Sequence, residues 1–281
     1  MRRRHRDTSL PLGNVIHVLQ LGTTAYKSAL DVQQRLVELR KQGRAADTLL
    51  LLEHPPVITL GRNAKLANVL RSREELAKRG VEMFECDRGG DVTYHGPGQL
   101  VGYPIFDLRG FGASDGKRKT LGPVEFVRRI EEALIRTCGD MRIPCTRVPG
   151  LTGVWTSAES EHEQKKIAAI GIHISRGVTS HGFALNVNTD LNEFGLIVPC
   201  GISDRAVTSM QQELGGGELL NPDKVAHAIS RNFGRVFAKQ TLWLESLDDI
   251  VRAAGPANQD TPLRTPEELR HLAQEDEVFP A

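Results

Sequence analysis

Lys166-Ile167-Ala168-Ala169-Ile170-Gly171-Ile172-His173-Ile174, then Ser175-Arg176-Gly177, then Val178-Thr179-Ser180-His181-Gly182-Phe183-Ala184-Leu185-Asn186-Val187-Asn188 is the stretch on which the fold turns. Residues 166–174 are mostly apolar and read as a strand. Residues 177–188 read as a second, and only Ser175-Arg176-Gly177 lies between them. Parallel neighbours need a crossover of a dozen or more residues, so these two are antiparallel. The apolar runs at 81–86 and 99–106 are likewise close in the chain with no room for a helix. Strands and helices alternate irregularly elsewhere. The expected class is therefore α+β, a mixed sheet flanked by helices, and not a doubly wound parallel sheet.

Outward from that pair, residues 14–20 form a first strand. Gly22-Thr23-Thr24 offers an N-cap to a helix over 25–41, where Ala29, Val32, Leu36 and Leu39 recur at helical spacing and Gly43 ends the run. Residues 48–53 form a strand that Pro55-Pro56 stops and Val57-Ile58-Thr59-Leu60 resumes. Ser72 caps a short helix closed by Gly80. Pro123 opens a helix that presents Val127, Ile130, Leu134 and Cys138 on one face. A strand over 147–155 is broken at Pro149-Gly150. Asn221-Pro222 begins the last long helix, with Val225, Ile229, Phe233 and Val236 on one stripe. Three regions follow: a basic arm at 1–13 read as disordered, a domain at 14–240, and a peripheral extension at 241–281 with a short helix near 266–274.

Positive and negative charges nearly cancel, to +1 over 281 residues, so global charge does not suggest nucleic acid. No apolar run approaches 18 residues, which predicts no membrane span. Cys86, Cys138, Cys145 and Cys200 include no C-x-x-C pair, which argues against zinc. His173 and His181 are read as packing or backbone-bonding residues, because no third ligand falls at a convincing spacing. Individual thiols in a reducing cytoplasm fit this pattern.

Arg88-Gly89-Gly90-Asp91-Val92-Thr93-Tyr94-His95-Gly96-Pro97-Gly98-Gln99 holds four glycines and a proline between two apolar runs. It reads as a loop held between buried strands, with glycines that let backbone approach a ligand. Lys166, at the edge of its strand, is either a charge reaching water or a placed amine. Cys200, between Pro199 and Gly201, lies outside any periodic element, where a thiol is accessible enough to react. A nearby ammonium favours the thiolate, so a Cys–Lys pair can serve as nucleophile and base.

Five blocks in order, Glu53-His54-Pro55-Pro56, the glycine loop 88–99, Lys166 to Gly171, His181 to Asn188 and Pro199-Cys200-Gly201, closely resemble the octanoyltransferases of lipoate biosynthesis. The resemblance spans residues 14 to 240. It implies the fold of lipoate and biotin protein ligases. It implies transfer of an octanoyl group from acyl carrier protein to a lysine of a lipoyl domain, in 2-oxoacid dehydrogenase E2 subunits or the glycine cleavage H protein. No cofactor, metal, nucleic acid or membrane enters that reaction. By the same resemblance, Cys200 is the acyl-bearing nucleophile and Lys166 lowers its pKa. Arg88, Gly89, Gly90, Asp91, Val92, Thr93, Tyr94, His95, Ala169, Ile170, Gly171, Gly182, Phe183 and Ala184 line the acyl-substrate site. Gly171, Gly182 and Ala184 are small enough to leave an apolar slot open. His95 polarises the carbonyl, positions the acceptor or merely braces the turn. Backbone N–H groups of the loop or of Gly171 hold the oxyanion. Lys117-Arg118-Lys119 lies outside the shared pattern and is either a solvated run or a dock for the acidic carrier protein.

Overall fold

The computed structural model describes residues 14–112, 116, 120–158, 163–201 and 205–253; the side chains of 251–253 are not among them. The arm at 1–13, the Lys117-Arg118-Lys119 run and the helix expected near 266–274 therefore lie outside the described residues. The elements in order are β1 (Val15–Thr23), α1 (Tyr26–Lys41), β2 (Asp47–Glu53), β3 (Val57–Leu60), α2 (Arg73–Lys78), β4 (Glu82–Glu85), β5 (Val92–His95) and β6 (Gln99–Ile105). After these come α3 (Pro123–Asp140), β7 (Cys145–Thr146), β8 (Val154–Thr156), β9 (Lys166–Ser175), β10 (Val178–Asn186), α4 (Met210–Glu213), α5 (Pro222–Phe237), β11 (Gln240–Trp243) and α6 (Leu247–Ala253).

The larger sheet has eight strands in the order β11-β1-β2-β6-β10-β9-β8-β7. β1 runs parallel to both β11 and β2, and every other pair in it is antiparallel. β9 and β10 pair from Ser175↔Val178 to Ala168↔Leu185 around the Arg176-Gly177 turn, as their short connection requires. The mixed sheet flanked by helices is as expected.

β2 shows why the larger sheet is buried on both faces. Leu49, Leu50, Leu51 and Leu52 are all buried, and alternate side chains go to opposite layers. Leu49 and Leu51 join Phe126, Ile130 and Leu134 of α3 and Val225, Ile229 and Phe233 of α5. Leu50 and Leu52 join Ala29, Val32 and Leu36 of α1. Cys138 is buried in the α3 layer. At one end of the sheet, buried Asp47 accepts from Arg40 Nε, Lys239 Nζ and the Asp107 N–H, each at 2.8 Å. That single carboxylate ties α1, β6 and the turn after α5 together.

A second sheet, β4-β3-β5, stands apart from the first. Val57–Leu60 does not resume β2; after the double proline it forms the centre of this sheet, parallel to β4 and antiparallel to β5. The glycine stretch is also more than a loop. Its middle, Val92–His95, is a fully buried strand, and only the glycines on either side turn. Within this stretch the glycines and the proline fall at positions 89–90 and 96–98, outside the strand. Tyr94 and Val92 face a core with Ile58, Phe194 and Leu196.

Smaller differences follow from local bonding. α1 has Ala25 as its N-cap with no side-chain bond, while Thr24 Oγ1 donates to the Leu21 carbonyl. Ser72 forms the expected cap, as a reciprocal capping box with Glu75. The strand expected over 147–155 is instead a hairpin of β7 and β8, because Pro149-Gly150 turns the chain fully. β11 carries the larger sheet past residue 240, and Leu247 and Ile250 of α6 are buried against α1's layer. The composition shift near 240 is thus not the edge of the packed fold. Among the described residues no helix is long and apolar enough to cross a membrane.

Candidate active site

All five sequence blocks meet where the second sheet leans on β10 and β9. Glu53 Oε2 accepts the Gly98 N–H at 2.8 Å, and the Gly98 carbonyl in turn accepts Asn188 N–H at 2.8 Å. Gly98 has φ 78°, and a Cβ there would lie 2.6 Å from the Asn188 carbonyl oxygen, so only glycine fits the crossing. Gly89 N–H donates to the Ile172 carbonyl at 3.0 Å, which lays the glycine turn across β9. A Cβ on Gly171 would come 2.5 Å from the Gly89 carbonyl oxygen.

Between these elements lies a narrow cavity, partly open at its mouth and walled mainly by apolar atoms. It is lined by Arg88, Gly89, Gly90, Asp91, Thr93, His95, Ala169, Ile170, Gly171, Gly182, Phe183, Ala184 and Cys200 of the expected residues. Val92 and Tyr94 do not line it, since alternation along β5 sends them to the opposite face. Lys166 does not line it either. It begins β9, is mostly buried, and holds its ammonium 4.8 Å from the Trp155 ring centroid. Its backbone receives the chain that follows the cysteine turn: Lys166 N–H donates to Ala206 and Thr208 N–H donates to Lys166, both at 2.9 Å.

Cys200 sits half-buried at the cavity with φ 56° and ψ 20°, a left-handed conformation seldom taken by non-glycine residues. The turn is held from outside. Val198 N–H donates to the Asn68 carbonyl at 2.8 Å, and Asn68 Nδ2 donates to Asp91 Oδ2 at 2.6 Å. Asp91 Oδ1 accepts from Lys65 and Val92 N–H groups. A Cβ on Gly201 would sit 2.8 Å from Asp91 Oδ2, so Asp91 packs directly on the cysteine turn.

Beneath the cavity runs a buried polar chain. Arg88 donates through Nε and Nη2 to Thr59 Oγ1 at 3.1 and 2.9 Å, and through Nη2 to the Thr59 carbonyl at 2.6 Å. The hydroxyl's own proton is left for His95 Nε2, 3.3 Å away. His95 Nδ1 donates to Gln99 Oε1 at 2.7 Å, and Gln99 Nε2 donates to Tyr94 O and Asn186 Oδ1. Each partner has one possible role, so His95 is held as the neutral Nδ1–H tautomer. Burial first, then the charges of His54 and Arg88, push its pKa down to about 3. His54 repeats the pattern, donating to the Thr24 carbonyl and accepting from Tyr103 OH at 2.7 Å, with its pKa lowered by burial to about 4. Both ring nitrogens of His95 are engaged, which leaves none for a substrate carbonyl. The Gly89 and Val92 N–H groups are engaged too, so neither is an open oxyanion donor.

Gly182 is glycine for a reason other than an open slot: a Cβ would overlap the Gly102 carbonyl of β6. Tyr26, Val101, Tyr103 and His181 line the cavity without having been singled out for it. Tyr26 stacks on His95, with ring centroids 6.3 Å apart. Tyr26, Val101 and Tyr103 belong to an ordinary amphipathic helix and an ordinary strand, so no local pattern marks them.

Known proteins resemble this chain on both counts. The family model described as "Lipoyl protein ligase A/B catalytic domain" matches residues 25–234. An octanoyltransferase of Koribacter versatilis is 61% identical over 262 residues, covering 93% of this chain and 98% of that protein. One of Acidobacterium capsulatum is 61% identical over 237 residues, 84% of this chain and 96% of that protein. Among solved structures, a lipoate-protein ligase A bound with ATP aligns with TM-score 0.63 at 16% identity, over 85% of this chain and 92% of that one. A bipartite lipoate protein ligase of Thermoplasma acidophilum aligns with TM-score 0.60 at 18% identity, over 92% of each chain. Those two share the fold. The extended identity to the curated sequences goes further: the chain belongs to the octanoyltransferases, acyltransferases of lipoate biosynthesis within the lipoyl protein ligase A/B catalytic-domain family.

Proposed function

We propose that the enzyme takes an octanoyl group from acyl carrier protein onto Cys200 and passes it to a lysine of a lipoyl domain. The observation that carries this reading is that Cys200, among the described residues, is the one cysteine lining this largely apolar cavity, on a left-handed turn clamped by Asp91 and Asn68. Strained backbone of this kind is retained where surrounding bonds over-determine it, and it clusters at functional sites. In the first step the Cys200 sulfur attacks the carrier's thioester carbon. A new C–S bond forms, the old one breaks, and the carrier's sulfur leaves with its electron pair. Lys166, whose backbone brackets the segment after the cysteine, takes the thiol's proton as a neutral amine and, as the resulting ammonium, returns it to the departing sulfur. In the second step the lysine amine of the acceptor displaces Cys200. A covalent intermediate spares two bulky proteins from binding together. The octanoyl chain lies along Ala169, Ile170, Val101 and Ala184, which supply apolar wall.

The acceptors in this reading are lipoyl domains of 2-oxoacid dehydrogenases and of the glycine cleavage H protein. The Thermoplasma ligase of similar fold was solved in a study that names its E2 lipoyl domain. Four free thiols suit a reducing cytoplasm. Intact mass after mixing with octanoyl-carrier protein tests the scheme. A gain of one octanoyl group that Cys200→Ser abolishes supports it. Transfer that survives Cys200→Ser, or turnover only with ATP and free octanoate, overturns it in favour of ligase-type activation. A Lys166→Gln enzyme is expected to acylate slowly with its cavity intact.

A further inference from the structure

His181 interrupts β10 with φ 54°, a left-handed conformation in mid-strand, and its N–H donates to Gln33 Oε1 of α1 at 2.8 Å. Its Nε2 lies 2.7 Å from Asp87 Oδ1. A carboxylate accepts only, so Nε2 carries the ring proton and Nδ1 keeps the lone pair. Nδ1 has no hydrogen-bond partner among the described residues. The ring lines the acyl cavity and also a separate hollow beneath α1. Asp87 is 54% exposed, and its other oxygen is 3.4 Å from His173 Nε2, also at that hollow. A line of titratable groups thus runs from the cavity through its wall to solvent.

The other charged and imidazole groups on the cavity wall are already committed, and the Tyr26 and Thr93 hydroxyls there are too weakly basic to take a proton at neutral pH. Arg88 has no lone pair to accept a proton. His95 has both nitrogens engaged. Asp91 has both oxygens bonded. We propose that His181 accepts the proton of the incoming lysine amine, with Asp87 as its positioning residue. This rests on the acyl-enzyme reading above. The neutral amine nitrogen attacks the octanoyl carbon, the C–N bond forms, and the C–S bond breaks with its electron pair going to Cys200 sulfur. The proton on that nitrogen passes to His181 Nδ1, and from the imidazolium to water in the hollow. Burial keeps His181 below its ordinary pKa, so the ring is neutral and ready at neutral pH. Asp87 favours its protonation, Arg88 and His173 oppose it, and Lys41 and Glu38 of α1 line the hollow beyond.

The test separates the two half-reactions. Wild-type, His181→Gln and Asp87→Asn enzymes are loaded with octanoyl-carrier protein, freed of it, and mixed with a lipoyl domain in single turnover. His181→Gln is expected to load normally and to discharge to the lysine at least ~100-fold more slowly. Hydroxylamine, whose weakly basic nitrogen gives an adduct acidic enough to lose its proton to water unaided, is expected to discharge both enzymes alike. Asp87→Asn removes a charge that favours imidazolium, so the midpoint of discharge against pH moves lower. This variant also carries the test if His181→Gln does not fold, because Asp87 is largely exposed. Discharge of His181→Gln to lysine at the wild-type rate, equal slowing with hydroxylamine, or an unmoved Asp87→Asn midpoint would each overturn the proposal. A wild-type enzyme that never gains an octanoyl group removes the acyl-enzyme reading itself, a different failure.

Discussion

Thr59→Val is the sharpest test of the buried chain beneath the cavity, because it changes one atom's chemistry and almost no shape. Thr59 is fully buried and does not line the cavity. Its hydroxyl meets Arg88 twice and His95 once. Valine keeps the volume and leaves Arg88 with only the Thr59 and Gly89 carbonyls, at 2.6 and 3.0 Å. The lost charge-assisted bonding is worth about 1.5–3 kcal/mol, and an unsatisfied His95 Nε2 adds about 1 kcal/mol more. The summed loss of ~3 kcal/mol lowers the melting temperature by roughly 6–12 °C in a domain of this size. Urea unfolding gives the free energy, and scanning calorimetry gives the temperature. Thr59→Ser, which retains the oxygen, is expected to lose under half as much. Because Arg88 shapes the cavity wall, Thr59→Val should also slow acylation beyond its effect on folding. A valine variant within 0.5 kcal/mol of wild type would refute the account, since two N–H groups of a buried cation would then be indifferent to their partner.

Acid should destabilise the fold through His54 and His95, whose folded pKa values of about 4 and about 3 lie below the ordinary 6.5. The unfolded chain then binds more protons, so their contribution is complete above pH 6.5 and is lost as pH falls towards 4. The slope approaches ~2.7 kcal/mol per pH unit for the two together, readable as the urea midpoint between pH 7 and 5. Gly171→Ala places a methyl 2.5 Å from the Gly89 carbonyl; a cost of about 1–3 kcal/mol is expected, with acyl-donor KM raised as the glycine turn shifts over the cavity. Asp47→Ala removes the shared acceptor of Arg40 and Lys239 and is expected to cost about 3–5 kcal/mol in urea unfolding, with cavity chemistry unchanged in the protein that remains folded.

Much of the fold is local in origin and was legible. The short connection at Ser175-Arg176-Gly177, closed in the structure as an Arg176-Gly177 turn, forces β9 and β10 to be antiparallel, and the stripe Val225, Ile229, Phe233 sets the face of α5. The five blocks mark the same neighbourhood that the structure assembles, Cys200 included, because glycines needed for backbone crossings and a thiol in a turn are visible one residue at a time. What was not legible depends on partners far along the chain. Nothing local says that Val57–Leu60 leaves the main sheet, since an apolar run of four fits either sheet until β5 arrives to pair with it. The middle of the glycine stretch reads as loop by composition, yet burial against Phe194 and pairing with β3 make it strand.

Residue types, turn chemistry and hydrophobic period thus determined most of the element types, the antiparallel hairpin and the position of a thiol in a turn. Only the tertiary structure decided which side chains share a wall. His95 became a braced neutral ring when Thr59, 36 residues earlier, took its second nitrogen. His181 became a cavity group when Asp87, 94 residues earlier, took its Nε2. Protonation and exposure are set by three-dimensional neighbours and by exclusion of water, and neither is encoded in a window of consecutive residues.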